Sequence, residues 1–267
     1  MKGVVRLVRN GIDLVDRPQA RDTRLVEDVH VDTAAQLEEL SFWTYKKYRP
    51  RIWIPANLLV LQGAFRYQGG WNPLVEALNQ GEDILRWYYH VFRRRSLEEM
   101  YLLPPNMPGA DVSLWRMPWF GRDLVSQHAP QEKEEDKEHR ERRGPKYIAS
   151  HMRRLTQTRT SILKQGYQPN RYGDIQGCLL QRGGEGRFLV HSGKHRAAVL
   201  AAAGWVKIPV TFSLILPRSI NETTAHSWPF VKSGIFDART AVSIFNSYID
   251  LDGTQQFSFS ERVPQLG

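Results

Sequence analysis

The chain has 267 residues, 41% of them hydrophobic and 24% charged, which excludes wholesale disorder and allows one large domain or two modest ones. A single cysteine, Cys178, excludes an intrachain disulfide, so a reducing, cytoplasmic location is expected. The formal net charge of +9 points to an anionic partner: nucleic acid, nucleotide phosphates or an anionic membrane surface.

In chain order, Val4 to Val8 reads as a strand; Arg6 and Arg9 interrupt the apolar start, so no secretory leader is expected. Ala34 to Leu40 reads as a short helix, with Asp32 or Thr33 as its N-cap. The apolar run Ile52 to Leu61 contains Pro55 and is far shorter than the roughly 20 residues of a membrane span. Residues 41–95 hold nine Lys or Arg against three acids, together with twelve aromatics. This texture has two readings. One is an aromatic core with a solvated basic rim; the other is a lid or docking surface for an anionic membrane or a polyanionic substrate. On the second reading Lys46, Lys47, Arg93, Arg94 and Arg95 form an exposed basic face. Pro73 to Leu78 starts as a helix with proline in its first turn, and Gly81 to Phe92 reads as a second helix, acidic at its start and basic at its end.

The mixed-charge run Gln131 to Lys146 reads as a solvated linker. The expected organisation is therefore a basic, aromatic, mainly helical region over 1–130, a linker over 131–146 and an α/β (α+β) domain over 147–267. Within that domain, Tyr147 to Lys164 suits a basic helix capped by Gly166. Gly177 to Arg182 and Arg187 to His191 suit two strands joined by a turn at Gly183, Gly184 and Gly186. His195 to Ala203 suits an alanine-rich helix, and Lys207 to Phe212 a returning strand. Farther on, Asp237 caps a helix from Ala238 to Tyr248, with Val242, Phe245 and Ile249 facing the core. Trp228 and Lys232 are candidates to wall a substrate site.

The turn Ser192–Gly193–Lys194–His195–Arg196 is the most informative segment. It sits between a strand and the first turn of a helix, where free backbone amides and the helix dipole favour an anion. Gly193 lacks the Cβ that would block a phosphate, and Lys194, His195 and Arg196 add cationic donors. Asp174, in the loop Arg171 to Gly177, is either a turn residue beside Gly173 or the acid that orients an acceptor hydroxyl. No P-loop, HExxH or CxxC pattern is present, so no structural metal site is expected.

The stretch from Phe188 to Phe212, FLVHSGKHRAAVLAAAGWVKIPVTF, resembles the core of the ParB/sulfiredoxin-like superfamily. That core runs strand, Gly-x-x-Arg or Gly-x-His-Arg turn, alanine-rich helix, glycine, and a strand carrying Ile-Pro-Val. Ser161 to Gly166 (SILKQG) resembles its preceding helix end, and Leu179–Leu180 its next strand, so the likeness covers about residues 150–215. The superfamily includes CTP-binding DNA-partition proteins, nucleases, sulfiredoxins and free-serine kinases. Lys194 stands where sulfiredoxins carry their nucleophilic cysteine, and nothing after the core resembles the helix-turn-helix of partition proteins. The kinase branch resembles Asp-Gly-His-His-Arg here; Gly193, His195 and Arg196 match, while Ser192 and Lys194 depart.

The resemblance implies a nucleotide-binding protein, a kinase-like phosphotransferase acting on a hydroxyl of a small molecule, sugar or lipid-linked substrate. Ser192, Gly193, Lys194, His195 and Arg196 would hold the phosphates of ATP, ADP or CTP, with Mg²⁺ on the nucleotide and Asp174 and His195 as catalytic groups. The alternatives are a ParB-like nucleic-acid binder or nuclease, and a non-catalytic nucleotide sensor.

Overall fold

Residues 28–43, 50–107, 117–120 and 144–261 are described by the computed structural model. The expected strand over 4–8, Lys46, Lys47 and residues 131–143 of the charged run lie outside them. The strands are β1 (Asp28–His30), β2 (Arg51–Pro55), β3 (Leu59–Leu61), β4 (Phe65–Arg66), β5 (Ile175–Arg182), β6 (Glu185–Ser192), β7 (Lys207–Phe212) and β8 (Ser219–Asn221). The helices used below are α1 (Ala34–Trp43), α2 (Pro73–Gln80), α3 (Glu82–His90), α4 (Leu97–Tyr101), α5 (Pro145–Gln165), α6 (Pro169–Tyr172), α7 (Lys194–Ala202), α8 (Pro229–Lys232) and α9 (Ala238–Asp250).

The hairpin β5–β6 forms the middle of a mixed sheet ordered β1-β2-β7-β5-β6-β3-β4. Its turn lies at Gly183 and Gly184, while Gly186, expected in the turn, is a strand residue opposite Gln181; the register runs from Gly177 opposite Val190 to Arg182 opposite Glu185. The other edge of β5 is shared. β7 pairs in parallel with Ile175 to Gly177, and β8 pairs in parallel with Leu179 to Gln181. Between them the Ser213 amide donates to the Gly177 carbonyl and the Leu179 amide to the Arg218 carbonyl, both at 2.8 Å, so the ladder continues across the break. β5 is buried on both faces, which explains why Cys178, Leu179 and Leu180 follow one another without polar alternation. Ala34 of α1 lies near Leu179, while Asp250 of α9 meets Arg182, and those two β5 residues point to opposite faces.

The N-terminal region is more than helical. It supplies four strands to the same sheet: β2 runs antiparallel to β7 with Ile54 opposite Ile208, and β3 runs parallel to β6 with Leu59 opposite Phe188. The sheet thus draws strands from both sides of the charged run. The reading of Ile52 to Leu61 as merely too short for a membrane missed both strands, because the partners that seat them in the middle of the sheet, β7 and β6, lie more than 120 residues away. Among the described residues no helix is long and apolar enough to cross a membrane.

The aromatics of residues 50–107 form core. Phe65 is fully buried among Trp71, Tyr88 and Phe92, with ring centroids 4.6–5.9 Å away. Arg93 and Arg95 are only partly exposed and lie over aromatic rings, Arg93 over Tyr88 and Tyr89 and Arg95 over Phe92. This corrects the expectation that they stand on an exposed basic face; guanidinium stems cover apolar rings here instead. Asp237 caps α9 as expected, accepting from the Arg239 and Thr240 amides. The buried stripe of that helix is Ala241, Ile244, Phe245, Tyr248 and Ile249, with Val242 only partly covered.

Candidate anion-binding site

Strand β6 delivers the chain to Ser192, and Gly193 turns it with φ of 78° into α7. A Cβ at Gly193 would stand 3.0 Å from the Ile175 Cα, so both the left-handed backbone and the close approach to β5 call for glycine. The Gly193 carbonyl accepts the Ala197 amide at 3.0 Å. No side chain caps α7, which leaves the amides of Lys194, His195 and Arg196 without an intrahelical acceptor. Packing of α7 against α2 and α5 fixes where this helix starts.

The turn lines a cavity of about 740 Å³ between α7 and the second half of α5 with the loop after it. Residues 191–196 form one wall. No carboxylate is among the lining residues. Lys194 makes no hydrogen bond or ion pair with any described residue; burial, then the nearby Arg93 charge, pushes its ammonium down to about 8. Burial, followed by the charges of Arg154, Lys194 and Arg196, pushes His195 down to about 4. Burial and then Lys194 push His191 down as well. Both imidazoles are therefore neutral at pH 7. Among the described residues, the site brings together cationic and neutral donors with no carboxylate in its lining.

His195 belongs to a short chain of rings. Its Nε2 lies 3.3 Å from His151 Nδ1, and the same His151 nitrogen lies 3.0 Å from the Tyr89 hydroxyl. Tyr147 packs on His151 with centroids 4.5 Å apart. His151, Tyr89 and Arg93 were missed by reading the sequence. His151 had a usable signal, since Tyr147 and His151 stand four apart on one face of a helix. Tyr89 had none, because α3 meets α5 only through the fold, and Arg93 was read as part of a surface face rather than as a neighbour of Lys194.

Two expected site residues are otherwise engaged. The Arg196 guanidinium donates to the carbonyls of Tyr172, Gly173 and Asp174, capping the short helix α6 and holding the loop that follows. The Asp174 carboxylate accepts from Arg51 Nε at 3.1 Å, and Arg51 also donates to Asn170 at 3.1 Å. Arg196 lines the cavity; Asp174 is not among its lining residues. Ser192, Gly193, Lys194 and His195 all are. Trp228 is buried against Trp119 and Phe245, away from this cavity, and Lys232 is not among the lining residues either. Cys178 is fully buried, and burial pushes its thiol up to about 12, as suits an inert core residue.

The lining does not fit a protein-held Mg²⁺. Such an ion asks for oxygen ligands, usually one or two carboxylates, and this cavity offers only hydroxyl, amide and carbonyl oxygens. Among the described residues no three His, Cys, Asp or Glu side chains cluster as a metal site. No protein-family model, curated protein or solved structure matches the chain.

Proposed function

We propose that this protein binds a nucleoside di- or triphosphate at the start of α7 and transfers a phosphoryl group to a hydroxyl of a second substrate. One observation carries the reading. Free helix amides, a lysine with no ion pair to a described residue and two neutral imidazoles share a cavity with no carboxylate among its described lining residues. An anion supplies the missing charge. The resemblance of residues 188–212 to the ParB/sulfiredoxin-like core supports the same assignment.

In this reading Gly193 lets the phosphates approach the backbone, and Lys194 with the amides of residues 194–196 balances them. Arg196 acts through the backbone, by holding the loop 172–174 against the turn. In the transfer step the acceptor oxygen bonds to the terminal phosphorus while the bond from phosphorus to the bridging oxygen breaks. The shortened nucleotide leaves with that electron pair. Neutral His195 takes the acceptor's proton and passes it to solvent. A loose phosphoryl-transfer transition state needs positioning and charge balance more than a strong base, so an imidazole of low basicity suffices.

A second reading, nucleotide binding without transfer, is favoured by the pairing of Asp174 with Arg51, which leaves the cavity without a carboxylate base. Calorimetric titration of the full chain with ATP, ADP and CTP tests both. Binding is expected, and Lys194→Ala should weaken it by roughly ten- to a hundredfold, since a charge-assisted contact contributes about 1.5–3 kcal/mol. A parent protein that binds none of the three overturns the proposal. Phosphorus NMR then separates the readings: a new phosphate ester appears only if transfer occurs.

A further inference from the structure

The geometry points to a sugar ring in the other half of this cavity, so that its ligand is a phosphorylated carbohydrate. The inference rests on the anion reading above and names what is attached to, or sits beside, the phosphate. A volume of about 740 Å³ falls in the range of pockets that enclose whole small-molecule ligands, roughly 300–1,000 Å³, and phosphates over the turn leave much of it unfilled.

The wall facing the turn has a different chemistry. Gln157, Thr158 and Ser161 come from the second half of α5, and Tyr167, Gln168 and Tyr172 from the segment after it. None carries a charge. The Ser161 hydroxyl and the Gln157 amide make no hydrogen bond with a described residue, so both can donate and accept. The Thr158 hydroxyl donates to the Arg154 carbonyl at 2.8 Å, and the Gln168 amide nitrogen donates to the Gln165 carbonyl at 3.0 Å. Those two bonds leave the Thr158 lone pairs and the Gln168 carbonyl oxygen as acceptors.

The wall is thus a row of neutral donors and acceptors flanked by two tyrosine rings. Ring hydroxyls each donate and accept, and the apolar face of a sugar packs on an aromatic ring. A cationic acceptor would find no carboxylate among the described lining residues, and an acyl chain would strand the amides and hydroxyls. Two sources share this chemistry: the ribose of a nucleotide and a separate sugar phosphate.

The test is calorimetric titration of the full chain with four probes in two pairs. Ribose 5-phosphate is compared with n-propyl phosphate, which carries the same charge group without ring hydroxyls, and ADP is compared with pyrophosphate. The sugar-bearing member of at least one pair should bind tenfold or more tightly than its partner. The variant Gln157→Ala/Ser161→Ala should reduce that gain to threefold or less and leave n-propyl phosphate and pyrophosphate binding unchanged. Both changes sit on a helix surface and favour helix, so the fold should hold, as circular dichroism will show. A gain confined to the ADP pair assigns the ring to a nucleotide, and one in the ribose pair assigns it to a sugar phosphate.

If both members of each pair bind equally, or the double variant keeps the full gain, the sugar inference is overturned while the anion site stands. If no probe binds, the anion reading and this inference fall together.

Discussion

Residues 175–212 and residues 50–107 share one sheet but reach it differently. The first segment is built by neighbours: a hairpin, a glycine turn, a helix and a returning strand, each next to the last in sequence. The second pairs locally only at the sheet edges, β2 with β1 and β3 with β4, and joins the middle of the sheet through partners more than 120 residues away, with β2 on β7 and β3 on β6. The division of labour at the site follows the same line. The local segment presents the turn 192–196 to the cavity. The dispersed segment sends Tyr89 toward His151 and Arg93 toward Lys194, and so sets the electrostatics in which the turn works. A turn of the same sequence in an isolated hairpin–helix unit would keep Lys194 solvated and strongly basic.

The largest effect should come from breaking the dispersed half. Phe65→Ala empties the centre of an aromatic cluster where the ring is fully buried. A loss of about 3–5 kcal/mol is expected for such a truncation. Because β3 and β2 are sheet neighbours of β6 and β7, the loss should appear as one cooperative transition. Urea unfolding followed by tryptophan fluorescence and by far-UV circular dichroism should therefore give the same lowered midpoint. Separate midpoints would mean that residues 175–212 hold their fold without the N-terminal strands.

Next in size is Lys194, where the two halves meet. Its native pKa of about 8 is below the roughly 10.4 of an unfolded lysine. Below pH 8 both states carry the proton, and the folded protein bears an unbalanced charge. Between about pH 8 and 10.4 the unfolded chain holds more protons than the native one, so stability rises with pH across that window. Lys194→Met, which removes the charge, should be more stable than the parent at pH 7, and the difference should narrow toward pH 10.4. Anion affinity should move the opposite way, falling in the parent as pH passes 8. A stability difference that does not vary with pH would show that Lys194 is as well solvated as a surface lysine.

What could be read from the sequence follows the same contrast. Gly183, Gly184, Gly193 and Asp237 mark turns and caps by local chemistry, and the elements they bound fall within a few residues of expectation; Gly186 instead lies in β6, paired with Gln181. The turn 192–196 was legible as an anion cradle for the same reason. Arg196 was not legible as a clamp on the 172–174 carbonyls, because its partners depend on how the loop closes. Nor was Asp174 legible as the partner of Arg51, which lies 123 residues away. The strands at 51–55 and 59–61 are short and buried, and an apolar run of that length does not announce its period.

Within the local half, Gly193→Ala should weaken anion binding, because its Cβ stands where the phosphates approach the backbone, and should have a clear effect on stability. The residue sits at φ of 78°, and its Cβ would press on the Ile175 backbone. Left-handed backbone in an alanine costs about 1–2 kcal/mol. The expected result is a thermal midpoint lowered by roughly 2–8 °C at unchanged unfolding cooperativity. An unchanged midpoint would mean that the turn relaxes without strain, and the close approach to β5 would lose its significance.

The smallest expected effect asks whether the dispersed half touches the chemistry or only frames it. Tyr89 is almost fully buried, yet its hydroxyl reaches the nitrogen of His151 that also faces His195. Tyr89→Phe keeps the ring, and with it the packing on Tyr88, Tyr147 and His151. It removes one hydrogen bond between neutral groups, with a net contribution of about 0.5–1.5 kcal/mol. Stability should fall by that amount. The sharper reading is nitrogen NMR of the two histidines. A phenol is a better donor than acceptor, so its hydroxyl and the Nε2–H of His195 compete for one lone pair on His151. With the phenol gone, His195 should keep that acceptor to itself, and its Nε2 signal should move toward that of a stronger donor. Pyrophosphate affinity should change by less than threefold, because Tyr89 does not line the cavity. Signals that stay fixed on both rings would reduce Tyr89 to a packing residue and confine the working site to the local segment and α5.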